Sequence, residues 1–137
     1  AAELRSLEMK EDGTRLTELR DRLISGILEG VEKSHLNGHR TMRLPYNAHF
    51  WFDFVEGESL LLILDASGIM ASSGSACTSK TLTASLTLEA IGLQEDQAHS
   101  SVQFTMGKLT TREEVEQVIA VMPDVVKKMR DISPLHE

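Results

Sequence analysis

Ala48-His49-Phe50-Trp51-Phe52-Asp53-Phe54-Val55 decides the fold. In an extended chain Phe50, Phe52 and Phe54 fall on one side, and His49, Trp51 and Asp53 on the other. The alternation over 48–55 predicts a strand with one buried face. Ser101 to Met106 alternates too, with Val102, Phe104 and Met106 on one side. Such a sheet face needs helices to cover it.

The flanking sequence supplies them. Residues 3–31 carry Leu16, Leu19, Leu23, Ile27 and Val31 at three- and four-residue spacing, a helical period. Gly13 is expected to weaken or break that helix, and Glu18 to pair with Arg22 one turn on. Ser34-His35-Leu36, before the turn signal Asn37-Gly38, reads as a strand end. Leu60 to Ala66 reads as a short helix ended by Gly68, and Ile69-Met70-Ala71 as a brief buried strand. Ser85 to Ile91 reads as a helix stopped by Gly92.

Thr111 and Glu114 have capping-box spacing. The helix they open carries Val115, Val118, Ile119, Met122, Val125, Val126, Met129 and Ile132 on one stripe. Pro123 is expected to kink it or to begin a second helix. Glu113, Glu114 and Glu116 read as a solvated face that complements the helix start. The order predicts an α/β (α+β) fold: a two-layer sandwich of a small mixed or antiparallel sheet with flanking helices.

The 137 residues fit one domain, 1–137, long enough to bury its own core. A net charge of −7 argues against nucleic acid as the main partner. The longest aliphatic run, Leu60 to Leu64, is too short to cross a bilayer. Ala1-Ala2-Glu3-Leu4-Arg5 does not open a secretory signal, and the expected compartment is the cytoplasm. One cysteine, Cys77, makes neither an internal disulfide nor a multi-cysteine zinc site, and no metal is expected.

Residues 72–81, Ser-Ser-Gly-Ser-Ala-Cys-Thr-Ser-Lys-Thr, contain no large apolar side chain and read as a loop. A cysteine in a core is a small hydrophobe. Here Cys77 is flanked by Gly74, Ser75, Thr78 and Ser79, within reach of solvent, and Lys80 favours its thiolate. Three chemistries suit such a thiol. Hydrolysis needs a histidine base, and none of His35, His39, His49, His99 and His136 stands in a cysteine-hydrolase signature. Redox chemistry lacks a second, resolving cysteine. Sulfur transfer needs one exposed cysteine on a loop. Ser72 to Ser75 also has the composition of an anion-binding nest, without the ending of a P-loop.

Ser72-Ser73-Gly74-Ser75-Ala76-Cys77-Thr78-Ser79 resembles the active-site loop of the NifS/IscS-type cysteine desulfurases. Asn37-Gly38-His39, Arg43-Leu44-Pro45-Tyr46-Asn47 and Val55-Glu56-Gly57-Glu58-Ser59-Leu60 resemble the family's approach to that loop. Ala90-Ile91-Gly92-Leu93, Ala98-His99-Ser100-Ser101, Thr110-Thr111-Arg112-Glu113-Glu114 and Ser133-Pro134-Leu135 resemble the family's segments C-terminal to the loop.

The resemblance implies the C-terminal small domain of a fold-type-I pyridoxal-phosphate (PLP) enzyme that works as a homodimer. Its substrate is L-cysteine and its product L-alanine. Cys77 matches the nucleophile that takes the sulfur as a persulfide and passes it to an iron–sulfur scaffold or another acceptor. Ser73, Gly74, Ser75, Ala76, Thr78 and Ser79 match the loop around it, and Asn47 and Gln103 match substrate-binding positions. A non-catalytic sulfur-acceptor or cluster-assembly module using Cys77 is the alternative.

Three departures stand out. The family's Ser-x-His-Lys pattern, which carries the PLP lysine, is missing, so the PLP-binding large domain is expected elsewhere. The chain then reads as a piece of a longer enzyme or a separately encoded half. Ala84 replaces a proline after the cysteine loop. In Ser101-Val102-Gln103-Phe104 a glutamine replaces the arginine that grips the substrate carboxylate. The lost charge is expected to weaken cysteine binding by roughly 2- to 30-fold, unless Lys108 or an arginine of the absent domain takes over.

Overall fold

The computed structural model describes residues 2–73 and 85–133, and the side chains of the first helix from residue 12 onward. The elements run α1 Ala2–Gly30, β1 Ser34–Leu36, β2 Asn47–Phe52, α2 Gly57–Ala66, α3 Leu86–Ala90, α4 Glu95–His99, β3 Ser101–Thr105 and α5 Arg112–Ile132. The three strands form one antiparallel sheet in the order β1-β2-β3. Helices α1, α2 and α5 pack together against one side of it. This is the antiparallel form of the expected two-layer α/β sandwich.

Residue alternation sorts the two faces. Ala48, Phe50 and Phe52 of β2 and Val102 and Phe104 of β3 are buried. Phe50 meets Phe104 edge-on at 6.2 Å between ring centroids. Leu16, Leu23, Ile24 and Ile27 of α1, Leu60 and Leu64 of α2, and Met122, Val125 and Val126 of α5 close over them. Burying one large aliphatic or aromatic side chain contributes roughly 1.5–3 kcal/mol, so this layer carries most of the stability.

Several local expectations are corrected. Gly13 does not interrupt α1; its propensity cost of about 1 kcal/mol is small beside the packing that begins at Leu16. Arg22 pairs not with Glu18 but with Glu116 of α5, through Nε to Oε1 at 2.7 Å and Nη2 to Oε2 at 2.6 Å. Glu116 is therefore not a purely solvated residue. The strand ends at Phe52, and Phe54 does not continue the buried face. Phe54 takes a left-handed φ of 62°, while Arg130 of α5 donates to the carbonyls of Asp53, Glu32 and Lys33 and fixes that turn.

Met70 is 89% exposed, so Ile69-Met70-Ala71 is not a buried strand; Ile69 is buried and Ala71 packs partly buried against the core. Pro123 does not begin a second helix; α5 runs through it from Arg112 to Ile132. It removes one helical hydrogen bond, at a cost of roughly 3 kcal/mol, but the apolar stripe is buried on both sides of it. That stripe stops at Met129, because Ile132 is 73% exposed. Helix α4 was not legible as a period; Gln94 and Gln97 close its capping box.

Two close approaches need glycine. A Cβ on Gly57 would lie 2.5 Å from the carbonyl oxygen of His99, so α2 begins directly against the end of α4. A Cβ on Gly26 would lie 2.5 Å from Cδ1 of Ile119, so α1 and α5 touch there. Among the described residues no helix is long and apolar enough to cross a membrane.

Candidate functional site

The sheet face away from the core carries the polar half of each alternation. Asn37 follows β1 and donates its N–H to the carbonyl of His49 at 2.8 Å. His49 in turn stands opposite Gln103. These three residues make a row across the sheet. In the next row His35 pairs with Trp51, and Trp51 with Ser101. The His35 and Trp51 rings stack at 3.8 Å, and His35 Nε2 lies 3.3 Å from Asp53 Oδ2. On the other flank Asn47 stands opposite Thr105, diagonal to Gln103.

The row is incompletely satisfied. Asn37 Nδ2 donates to Ser101 Oγ at 3.1 Å, while its Oδ1 is buried without a partner. His49 Nε2 is buried and unpartnered as well. Burial, reinforced by the charge of Arg43, pushes the His49 imidazole down to about 4, so it is neutral near pH 7.

Arg43, in the connection between β1 and β2, donates from Nη2 to the carbonyl of Asn37 at 2.5 Å. Its Nε and Nη1 are buried with no acceptor. Burial, with the charges of Arg20 and Arg40 nearby, lowers its pKa from the usual arginine value. Arg20 is itself buried, and each of its three guanidinium nitrogens has an acceptor. It donates to Asp21, and from Nη1 to the carbonyls of Arg43 and Leu44, which holds the connection against α1.

Beyond Ile69 the chain returns to this face. Ser72 forms a single antiparallel bridge to Gln103, with Gln103 N–H to Ser72 O at 2.6 Å and Ser72 N–H to Gln103 O at 3.0 Å. Ser73 is half-buried next to it. Gly74, Ser75, Ala76, Cys77, Thr78 and Ser79 lie outside the described residues. The structure thus brings Asn47, Gln103 and the start of the cysteine loop together. Sequence reasoning passed over Asn37, Arg43 and His49 as site residues. The alternation that put His49 opposite the phenylalanines was the available signal, but the pairing with Gln103 was not.

The family sequence model for aminotransferase class-V matches residues 1–118. The chain belongs to the class-V aminotransferase family. Two curated relatives are cysteine desulfurase IscS of Methanosarcina thermophila, 47% identical over 98% of this chain, and cysteine desulfurase IscS 1 of Archaeoglobus fulgidus, 46% identical over 99%. The alignments cover 33% and 35% of those proteins, so this class-V chain spans about a third of their length. A NifS-like protein from Rickettsia africae has the same fold, with a TM-score of 0.76 at 18% identity over 90% of this chain and 31% of its own. A putative sugar aminotransferase of Streptococcus pneumoniae shares it at a TM-score of 0.66 and 16% identity, over 92% of this chain and 34% of its own.

The described residues of this class-V chain do not make a PLP cradle. The described lysines with described side chains, Lys33, Lys108, Lys127 and Lys128, are all exposed, and the Lys33 ammonium stands 4.9 Å over the Phe54 ring. None is placed to hold an aldehyde in an enclosed site. Among the described residues no group of histidine, cysteine and carboxylate side chains is arranged to hold a metal.

Proposed function

We propose that this chain is the small C-terminal domain of a cysteine desulfurase and carries its sulfur-accepting residue, Cys77. The observation that supports it most is the bridge between Ser72 and Gln103. It roots the cysteine loop beside the polar sheet face. Cys77 follows Ser72 by five residues, and five residues span at most about 17 Å. The thiol is therefore tethered within reach of a small molecule held on that face.

In this reading Gln103 and Asn47 line the substrate side of the face, and residues 73–79 carry the nucleophile. The Cys77 thiolate attacks the sulfur of L-cysteine. An S–S bond forms and the C–S bond breaks. The bonding pair stays with the carbon, which takes a proton to become alanine, and Cys77 keeps the sulfur as a persulfide. The persulfide then passes its outer sulfur to an iron–sulfur scaffold or another thiol acceptor. PLP is held by the large domain of the complete enzyme, a cytoplasmic homodimer, since nothing described in this chain fits it.

The test is persulfide trapping in the complete protein that contains this sequence. After L-cysteine is added, alkylation and mass spectrometry are expected to find one extra sulfur on the Cys77 peptide. Cys77→Ala is expected to abolish both that adduct and alanine release. Alanine release at the normal rate from Cys77→Ala would overturn the assignment.

A further inference from the structure

We propose that Arg43 anchors the carboxylate of the amino-acid substrate, beside the His49–Gln103 pair on the polar sheet face. This deepens the reading above and rests on it. Three observations carry it.

The first is the state of the Arg43 side chain. One nitrogen, Nη2, donates to the Asn37 carbonyl, while Nε and Nη1 are withdrawn from water with no acceptor. A buried cation left short of acceptors is costly, and a carboxylate is the anion that offers several in one plane. The residue as a whole is only half-buried, and it sits in a connection without regular secondary structure. A small shift of that connection would admit a ligand.

The second is local charge. The chain carries a net −7, yet the charges of Arg20 and Arg40 both bear on Arg43 here, with Asp21 as the acid that also acts on it. Asp21 is taken up by Arg20, at 2.8 Å and 3.0 Å. Arg40 donates to Ser25 Oγ. Arg43 is the member of this group whose unpartnered nitrogens are buried.

The third is the company Arg43 keeps. The carbonyl it holds belongs to Asn37, at one end of the row that passes through His49 to Gln103. Asn37 Oδ1 and His49 Nε2 lack partners too. Cationic donors beside an unpaired amide oxygen suit a molecule with both a carboxylate and an ammonium group, an α-amino acid. A carboxylate side chain from the rest of the polypeptide would offer the same oxygens, and the experiment separates the two sources.

The experiment uses the complete, PLP-loaded protein and compares L-alanine with ethylamine by calorimetric titration. The two ligands share the amine but only alanine has the carboxylate. Arg43→Gln is expected to weaken alanine binding at least tenfold and to leave ethylamine binding unchanged. Arg43→Lys, which keeps the charge, is expected to retain part of the preference and serves alone if Arg43→Gln does not fold. An alanine-to-ethylamine affinity ratio unchanged in these variants overturns the inference. If that unchanged ratio accompanies a lowered melting temperature, the acceptor is a carboxylate of the polypeptide. The ratio does not involve Cys77, so failure here and failure of the persulfide experiment are read separately.

Discussion

Ser72 and Gln103 exchange both main-chain hydrogen bonds, at 3.0 Å and 2.6 Å, outside any regular strand pairing of Ser72. That pair holds Ser72 against β3, while alternation turns the Gln103 side chain to the polar sheet surface. One residue thus holds Ser72 through its backbone and stands on the polar sheet face through its side chain. A side-chain change at 103 is expected to leave the main-chain bridge to Ser72 in place.

Stability is expected to depend on His49 below neutral pH. Its folded-state pKa is depressed from 6.5 to about 4 by burial and by Arg43. Between those values the unfolded chain binds the proton and the folded one does not. Stability is therefore fully present above about pH 6.5 and falls as pH drops toward 4, by up to about 3 kcal/mol. Urea midpoints measured for wild type and His49→Asn from pH 7 to 4 check this. An equally steep fall in the variant would mean that another group is responsible.

Gly57→Ala is expected to destabilise the protein by roughly 1–3 kcal/mol, as overpacking does. The added methyl would press on the main-chain oxygen of His99, which cannot swing away as a side-chain end can. Thermal denaturation reads it. A melting temperature within one degree or so of wild type, about the shift of a neutral surface change, would show that α4 yields freely.

Glu56 caps α2, with Oε1 accepting from the Glu58 N–H at 2.9 Å and Oε2 from the Ser59 N–H at 2.6 Å. Burial raises its pKa, but hydrogen bonds from Ser59 and Glu58 outweigh that and leave it lowered. Glu56→Ala is expected to cost about 1 kcal/mol, and Glu56→Asp to recover part of it. Chemical denaturation at neutral pH distinguishes the two.

Gln103→Arg is expected to tighten cysteine binding severalfold in the complete protein when Arg43 has been changed to Gln. In the wild-type background the gain is expected to be smaller, because the new guanidinium joins a row that already feels Arg43. The KM for cysteine in the four backgrounds measures the coupling. An equal gain in both backgrounds would show the two positions acting independently, and a larger gain in wild type would contradict the expectation.

The 137-residue chain alone is expected to form no imine with PLP. Its described lysines with described side chains are exposed, and Lys80 stands in the loop sequence. A borohydride-reducible band at roughly 390–430 nm, formed by this chain in isolation, would contradict that.

The sequence by itself determined the layers. Period-two alternation around Phe50 and Val102 can bury only one side of each strand, and the period of α1 and α5 supplies the stripes that cover it. It also offered Cys77, through the small polar residues around it, and Gln103, through resemblance to a family's strand. What only the tertiary structure decided was company. Arg22 chose Glu116 over Glu18 because helix packing brought a bidentate partner closer than its own helix did. Phe54 left the buried face because Arg130, 77 residues away in the chain from Asp53, holds the Asp53 carbonyl in a turn. The Asn37–His49–Gln103 row, and the unpartnered nitrogens of Arg43 beside it, exist only once three distant segments take one register. Local propensity acts over a few residues, whereas register and burial are settled by contacts far apart in sequence.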